Sequence, residues 1–346
     1  MYYVDRERNL TSKSFYEIIT MLGLKERIKS SNTVFIKPNF AAASYARPDS
    51  HIITDIELIC QLIENLLSFN NIKTIYVGDS DSAGYGYAFL KYNNLKLTDI
   101  IRSRFKELER VQLVDLSRDQ LCQIKREEFI YYSSLDNQLW LSKTLVGADF
   151  IISLANMKIH AVTSFTGACK NLFGCLPITD KWILHPYIHE IIHDLVLAIP
   201  VDLSVVDAFF GMEGNGPVYG HAVDSNFRIW ATSPIEADIV SCFYIGINWK
   251  KIKYLKLLSR AAKINNITYN YPLNIKKYKQ PKLFLRLCNN IGLIIQKIGH
   301  AIEMFGHRIH NSSNLFELTA CIFRPLLLKL FTEEQLRKIK HKVIKR

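Results

Sequence analysis

The sequence predicts an α/β fold: a mainly parallel sheet flanked by helices, with a basic helical C-terminal extension. Three observations carry this expectation. Short β-branched apolar runs alternate with amphipathic helical segments from residue 32 to residue 247. Polar residues gather just after those runs, at the edge where open α/β sheets bind ligands. Beyond residue 247 the composition shifts to Lys-rich, Ile/Leu-rich segments at helical spacing. The domain expectation is an α/β core over 1–247 and a basic, mainly helical extension over 248–346.

The elements follow in order. Residues 14–29 have helical spacing through Phe15, Ile18, Ile19 and Leu22, which predicts one helix capping the domain. Residues 33–36 (TVFI) form a strand that stops at Pro38. Thr54 and Glu57 sit at capping-box spacing before an apolar stripe that runs to about Leu67. Residues 72–77 form the next strand and run into Gly78-Asp79-Ser80-Asp81. Further strands are predicted at 111–114, 150–154 and 203–206, and helices at 98–108, 166–174, 187–198 and 234–246. The last opens with Ser233-Pro234-Ile-Glu236, a second capping box with proline at the first helical position. Helices are also predicted at 283–298 and 326–344.

Composition excludes several classes. With 346 residues, 49% hydrophobic and 22% charged, the chain can bury a sizeable core. Its start, MYYVDRERN, has no apolar run of the secretory kind, and no stretch of about 18 apolar residues predicts a spanning helix. Seven scattered cysteines, none at C-x-x-C spacing, argue against a disulfide framework or an iron–sulfur cluster and for a reducing cytoplasm. The net charge of +12 is uneven: residues 248–346 carry 21 Lys and Arg against 4 Asp and Glu, leaving a mildly acidic body. Basic amphipathic helices suit an anionic membrane surface, so peripheral association is one expectation and plain solvated helices the alternative. Nucleic acid is disfavoured, because aromatic residues are not regularly interleaved with the basic ones and no binding motif occurs.

Residues 149–185 are the densest in chemistry. An apolar strand empties into Lys158-Ile-His160, and Thr166-Gly167-Ala-Cys-Lys170-Asn171 is a small-residue turn opening a short helix. Amides at such a helix start suit an anion, with Lys170 adding charge. Lys158, His160, Lys170 and His185 are therefore the candidate catalytic residues, acting on a small anionic ligand such as a carboxylate or phosphate. Lys37, Asn39, Asn171 and Asn215 are candidate substrate contacts at strand ends and loops. Asp79, Asp207 and Glu213 are candidate ligands for a divalent metal, the last in a glycine-rich stretch read as a tight loop. His189-Glu190-Ile-Ile-His193 matches H-E-x-x-H but lacks the longer zincin pattern, and is read as a chance match. No G-x-G-x-x-G opens a helix, so Rossmann-type NAD binding is not expected, and no Walker A, G-x-S-x-G or kinase set is present.

Taken together, these residues resemble a large uncharacterised family, the domain of unknown function numbered 362. The matching features are Ile36-Lys37-Pro38-Asn39-Phe40, Val77-Gly78-Asp79-Ser80, Ala148-Asp149, Lys158-Ile-His160, the 166–174 segment, His185, Val206-Asp207, the 212–217 segment and Ala237-Asp238. Many members of that family carry a ferredoxin-like segment, for which this chain lacks the cysteines. The 165–174 segment followed by His185 also looks like the nickel-pincer lactate racemase family. That resemblance implies cofactor attachment at Lys170 and metal ligation by His185, and it departs from the family pattern at Asn171, Leu172 and Phe173. An enzyme with isomerase or oxidoreductase chemistry is the leading expectation; a cofactor- or metal-binding accessory protein is the alternative.

Overall fold

The computed structural model describes residues 1–40, 51–80, 97–105, 109–135, 138–179, 181–264, 276–281 and 289–297. Asp81, residues 106–108 and the predicted helix over 326–344 lie outside them. The chain forms two compact units, Met1–Leu287 and Cys288–Arg346. In the second, residues 289–297 are helical.

The first unit opens with β1 (Tyr2–Asp5), α1 (Ser12–Met21) and α2 (Lys25–Lys29). The single helix expected over 14–29 is thus two, because Gly23 adopts φ +69°, a left-handed backbone that ends a helix. α1 starts early because Thr11 and Ser14 cap it reciprocally. Then follow β2 (Thr33–Lys37), α3 (Ile56–Leu67), β3 (Thr74–Asp79), α4 (Leu97–Arg104) and β4 (Val111–Asp115). A separate hairpin of β5 (Leu121–Ile124) and β6 (Leu139–Ser142) leads through α5 (Lys143–Val146) into β7 (Phe150–His160). The unit continues with β8 (Ser164–Thr166), α6 (Ala168–Asn171), α7 (Ile188–Ala198), β9 (Leu203–Asn215), β10 (Tyr219–Val223), β11 (Arg228–Ala231), α8 (Pro234–Tyr244) and α9 (Lys253–Ala261).

The main sheet has the order β1-β11-β9-β7-β2-β3-β4. β9, β7, β2, β3 and β4 run parallel, while β11 and β1 close one side antiparallel. The chain builds outward from β2 to β4, then returns to the other side of β2 to lay down β7 and β9. That reversal is a topological switch point, the place where open α/β sheets form their ligand crevice, here outside the C-terminal ends of β2 and β7.

The central strands are buried on both faces, as parallel strands covered by helices must be. Phe35, Ile151 and Met157 pack on the side of α7, α8 and α9; Val34, Ile36 and Leu154 pack on the side of α1 and α3. Tyr254, Leu255 and Leu258 of α9 belong to this core, so the α/β body continues past residue 247.

β7 and β9 run well past the predicted 150–154 and 203–206. Each extension pairs with its own antiparallel partner, β8 or β10, and this pairing carries the strands beyond the parallel sheet. Glu213 and Asn215 therefore lie on a strand of a hairpin, not in a tight loop. Two predicted caps are also corrected. Asp55, not Thr54, caps α3. The Thr54 hydroxyl instead accepts from the Asn39 amide at 2.8 Å and donates to the Leu154 carbonyl at 3.0 Å, tying the segment after β2 to β7. At α8 the proline takes its expected place, but the Ser233 side chain makes no capping hydrogen bond.

Candidate active site

The switch-point crevice begins with a buried ion pair. Lys37, the last residue of β2, meets Asp79, the last residue of β3, at 2.9 Å, with both side chains at most 4% exposed. Neighbouring parallel strands bring the two ends side by side. Lys37 Nζ also donates to the Pro38 carbonyl at 2.6 Å, and Asp79 Oδ2 accepts from the Phe40 amide at 2.9 Å. Asn171 at the end of α6 joins them, donating through Nδ2 to the Lys37 carbonyl at 2.8 Å and to Ser153 Oγ at 3.2 Å. Gly174 is required here: a Cβ would lie 2.7 Å from Asp79 Oδ1 and 2.8 Å from Lys37 Nζ.

Two further lysines come from β7 and α6. Lys158 is 1% exposed and donates to the Ile52 carbonyl. Burial pushes its ammonium down to about 7; Lys170 and Lys37 push the same way and Asp79 opposes them. Lys170 is partly exposed, and desolvation with the charge of Lys37 takes it down to about 8. Among the described residues the Asp79 carboxylate thus acts on Lys37 and Lys158, and Lys170 lies within reach of the charge of Lys37.

The two histidines complete it, their rings 6.4 Å apart and nearly parallel. His160 Nδ1 accepts from the amides of Val162 and Thr163 at 3.1 and 3.2 Å, so its neutral form carries the proton on Nε2. His185 is the opposite. Its Nδ1 lies 3.2 Å from the Lys181 carbonyl, which can only accept, so Nδ1 is protonated and Nε2 keeps its lone pair. Burial first, and then the charge of Lys170, lower both: His160 well below its ordinary value and His185 to about 4. Both imidazoles are neutral at pH 7, one presenting a donor and the other an acceptor. His185 Nε2 has the form of a metal ligand; His160 Nε2 does not while the two amides point at Nδ1.

The expected anion site at the start of α6 is already filled from within. Asp238, on α8 and fully buried, accepts from the Ala168 amide at 2.5 Å and the Cys169 amide at 3.2 Å, and from the Tyr254 hydroxyl at 3.2 Å. Burial holds its carboxyl up near 7 against the lowering pull of those donors. Gly167 makes room for it, since a Cβ there would stand 2.2 Å from Asp238 Oδ1. An external anion in this neighbourhood therefore meets lysine side chains, not helix amides. Sequence reasoning gave Asp238 no role, because nothing local marks a mid-helix aspartate as the cap of a helix 70 residues earlier.

The structure does not gather the three carboxylates read as metal ligands. Asp79 pairs with Lys37. Asp207 is fully buried and meets Arg228 at 3.3 Å, which also reaches Asp5 at 3.3 Å; burial raises its carboxyl. Glu213 pairs with Lys279 at 3.4 Å. Among the described residues no group of three His, Cys, Asp or Glu side chains stands ready for a metal ion. Asn39 is fixed by the Thr54 bridge next to the crevice, whereas Asn215 ends β9 opposite Tyr219. In the H-E-x-x-H segment, Glu190 pairs with Lys253, and the His193 ring meets Asp194 at 2.9 Å.

Fold and site together define a doubly covered, mainly parallel α/β protein with a lysine-rich cluster at its switch point. Residues 34–243 match the family described as Domain of unknown function (DUF362), and the chain belongs to it. It is also similar to a thylakoid-associated protein of Synechocystis sp., 27% identical over 205 residues that cover 57% of this chain. The chain spans about 58% of the length of that curated relative.

Proposed function

We propose that the chain is an enzyme that holds a small carboxylate or phosphate on Lys37, Lys158 and Lys170 and moves a proton on it with His185 and His160. One observation carries the reading: a cluster of three lysines, with Asp79 paired to Lys37, lies beside two neutral imidazoles of opposite tautomer. His185 Nε2 would accept a proton and His160 Nε2 would donate one, while the lysines stabilise the negative charge that develops. An isomerase acting on a hydroxy acid would use these groups for the proton transfer; an oxidoreductase would add an electron acceptor or a divalent metal, to which His185 offers a ligand.

Calorimetry with inorganic phosphate and with lactate tests the reading. Binding is expected at pH 6.5 and should weaken by pH 9, as Lys158 and Lys170 lose the protons that an anion favours. Lys170→Ala should weaken it further with the fold intact. Absence of binding by either anion at pH 6.5, or binding indifferent to both pH and Lys170, refutes the assignment.

The second reading is a cofactor- or metal-binding accessory protein, favoured by the ligand-ready tautomer of His185. Stoichiometric metal uptake without turnover would select it. Either protein would work in the cytoplasm, peripherally on an anionic membrane through residues 248–346. The 21 basic residues of that segment and the thylakoid association in the relative's name support this placement. No helix among the described residues is long and apolar enough to cross a membrane.

A further inference from the structure

A second basic feature lies outside the switch-point crevice. An open cavity of about 580 Å³ is lined by Trp249, Lys250, Lys256, Arg260, Lys263 and Ile264, with Ser259. The sequence builds it by giving α9 two faces. Tyr254, Leu255 and Leu258 turn into the core, leaving Lys256 and Arg260 exposed on the outer face, with Lys250 before the helix and Lys263 after it. No Asp or Glu occurs between Asp238 and Glu303, so the local sequence supplies no countercharge. Among the described residues the basic side chains of this stretch in ion pairs are Lys253, with Glu190, and Lys279, with Glu213, and neither lines the cavity.

Four cations around one hollow, none of them in an ion pair among the described residues, call for an anionic partner, and the volume falls in the usual ligand-site range of about 300–1,000 Å³. Trp249 is half-buried beside them, the placement of an interfacial tryptophan next to lysines at a membrane surface. A nucleic acid is served less well. The Lys250 ammonium lies 5.6 Å from the centroid of the Trp249 ring, over the face on which a base would stack.

We propose that this groove is the seat of an anionic phospholipid headgroup and anchors the α/β body to a membrane surface. The proposal rests on the peripheral reading above and narrows it from 99 residues to one groove on α9. The phosphate would sit among Lys256, Arg260 and Lys263, with Trp249 at the level of the interface.

The test is cosedimentation of the full chain with phosphatidylcholine vesicles, with and without phosphatidylglycerol, at low and high salt. Binding is expected only with phosphatidylglycerol and only at low salt. Each basic residue near a charged surface strengthens binding about fivefold, so Lys256→Gln with Arg260→Gln should weaken it about 25-fold. Both positions are exposed, and an unchanged thermal midpoint would confirm that the fold is kept. Full-strength binding by this variant would overturn the groove while leaving peripheral association standing. No binding by the unaltered chain would overturn both. Saturable binding of inorganic phosphate at the groove without vesicle binding would overturn the membrane source in favour of a free phosphate. Tighter binding to a short DNA duplex than to vesicles would do so in favour of nucleic acid.

Discussion

Lys158 offers the sharpest test of the candidate site, because its burial should cost the protein stability that a function would have to justify. The side chain is 1% exposed, and its pKa falls from 10.5 to about 7. The unfolded chain holds the Lys158 proton up to about pH 10.5, the folded chain only up to about 7. Between those values the unfolded state binds more protons, so stability rises with pH across this window. At pH 7 the penalty for burying the lysine is about 4 kcal/mol. Lys158→Met keeps most of the volume and removes that penalty, but it leaves the Ile52 carbonyl without its donor, a loss of about 1–3 kcal/mol. The variant should therefore be about 1–3 kcal/mol more stable than the natural chain at pH 7. By pH 10 and above the lysine is neutral in the fold, and the variant should be less stable by the lost hydrogen bond. Urea unfolding at pH 6, 7 and 10 reads the crossover directly, and phosphate binding should fall in the same variant. A stability difference of the same sign and size at all three values would refute the reasoning, since it would mean that Lys158 keeps its proton throughout.

Two other variants probe the frame around it. Asp79→Asn removes the carboxylate partner of a buried lysine and should cost about 3–5 kcal/mol by urea unfolding; a loss below about 1 kcal/mol would show that Lys37 is satisfied without it. Gly167→Ala places a Cβ 2.2 Å from Asp238 Oδ1 and 2.7 Å from the Phe165 ring. Because neither neighbour is a flexible chain end, the thermal midpoint should drop by several degrees, corresponding to about 1–3 kcal/mol. Weaker phosphate binding should accompany it, since α6 carries Lys170 and Asn171.

The legible parts of the sequence were those whose signal is local. Residues 33–36 announce a strand by β-branching and a stop by Pro38, and that stop places Lys37 at the crevice. Lys158, His160, Lys170 and His185 were legible as a group because an apolar strand and a small-residue turn set them close together in sequence. What the sequence hid depends on distant pairing. Thr54 fits a capping box with Glu57, and only the approach of Asn39 and Leu154 decides that its hydroxyl joins the segment after β2 to β7 and leaves the cap to Asp55. Glu213 and Asn215 read as loop because four glycines surround them, yet β10 holds them in a ladder. Asp207 looked available at a strand end because Arg228, 21 residues on, gives no sign that it will fold back antiparallel onto β9.

Asp238 changes what the site can be. A helix start that binds a ligand offers fixed partial charges that do not titrate, and its anion affinity would be flat with pH. Here the Asp238 carboxylate takes the Ala168 and Cys169 amides, so the positive charge left for a ligand belongs to lysines. Two of these, Lys158 and Lys170, release their protons near 7 and 8. An arriving anion would draw those protons back, which couples binding to proton uptake in the range where His160 and His185 stay neutral. The same burial that lowers stability at Lys158 thus makes the cluster responsive to a charged ligand, and the pH dependence of phosphate binding should share its origin with the part of the pH dependence of unfolding that Lys158→Met removes.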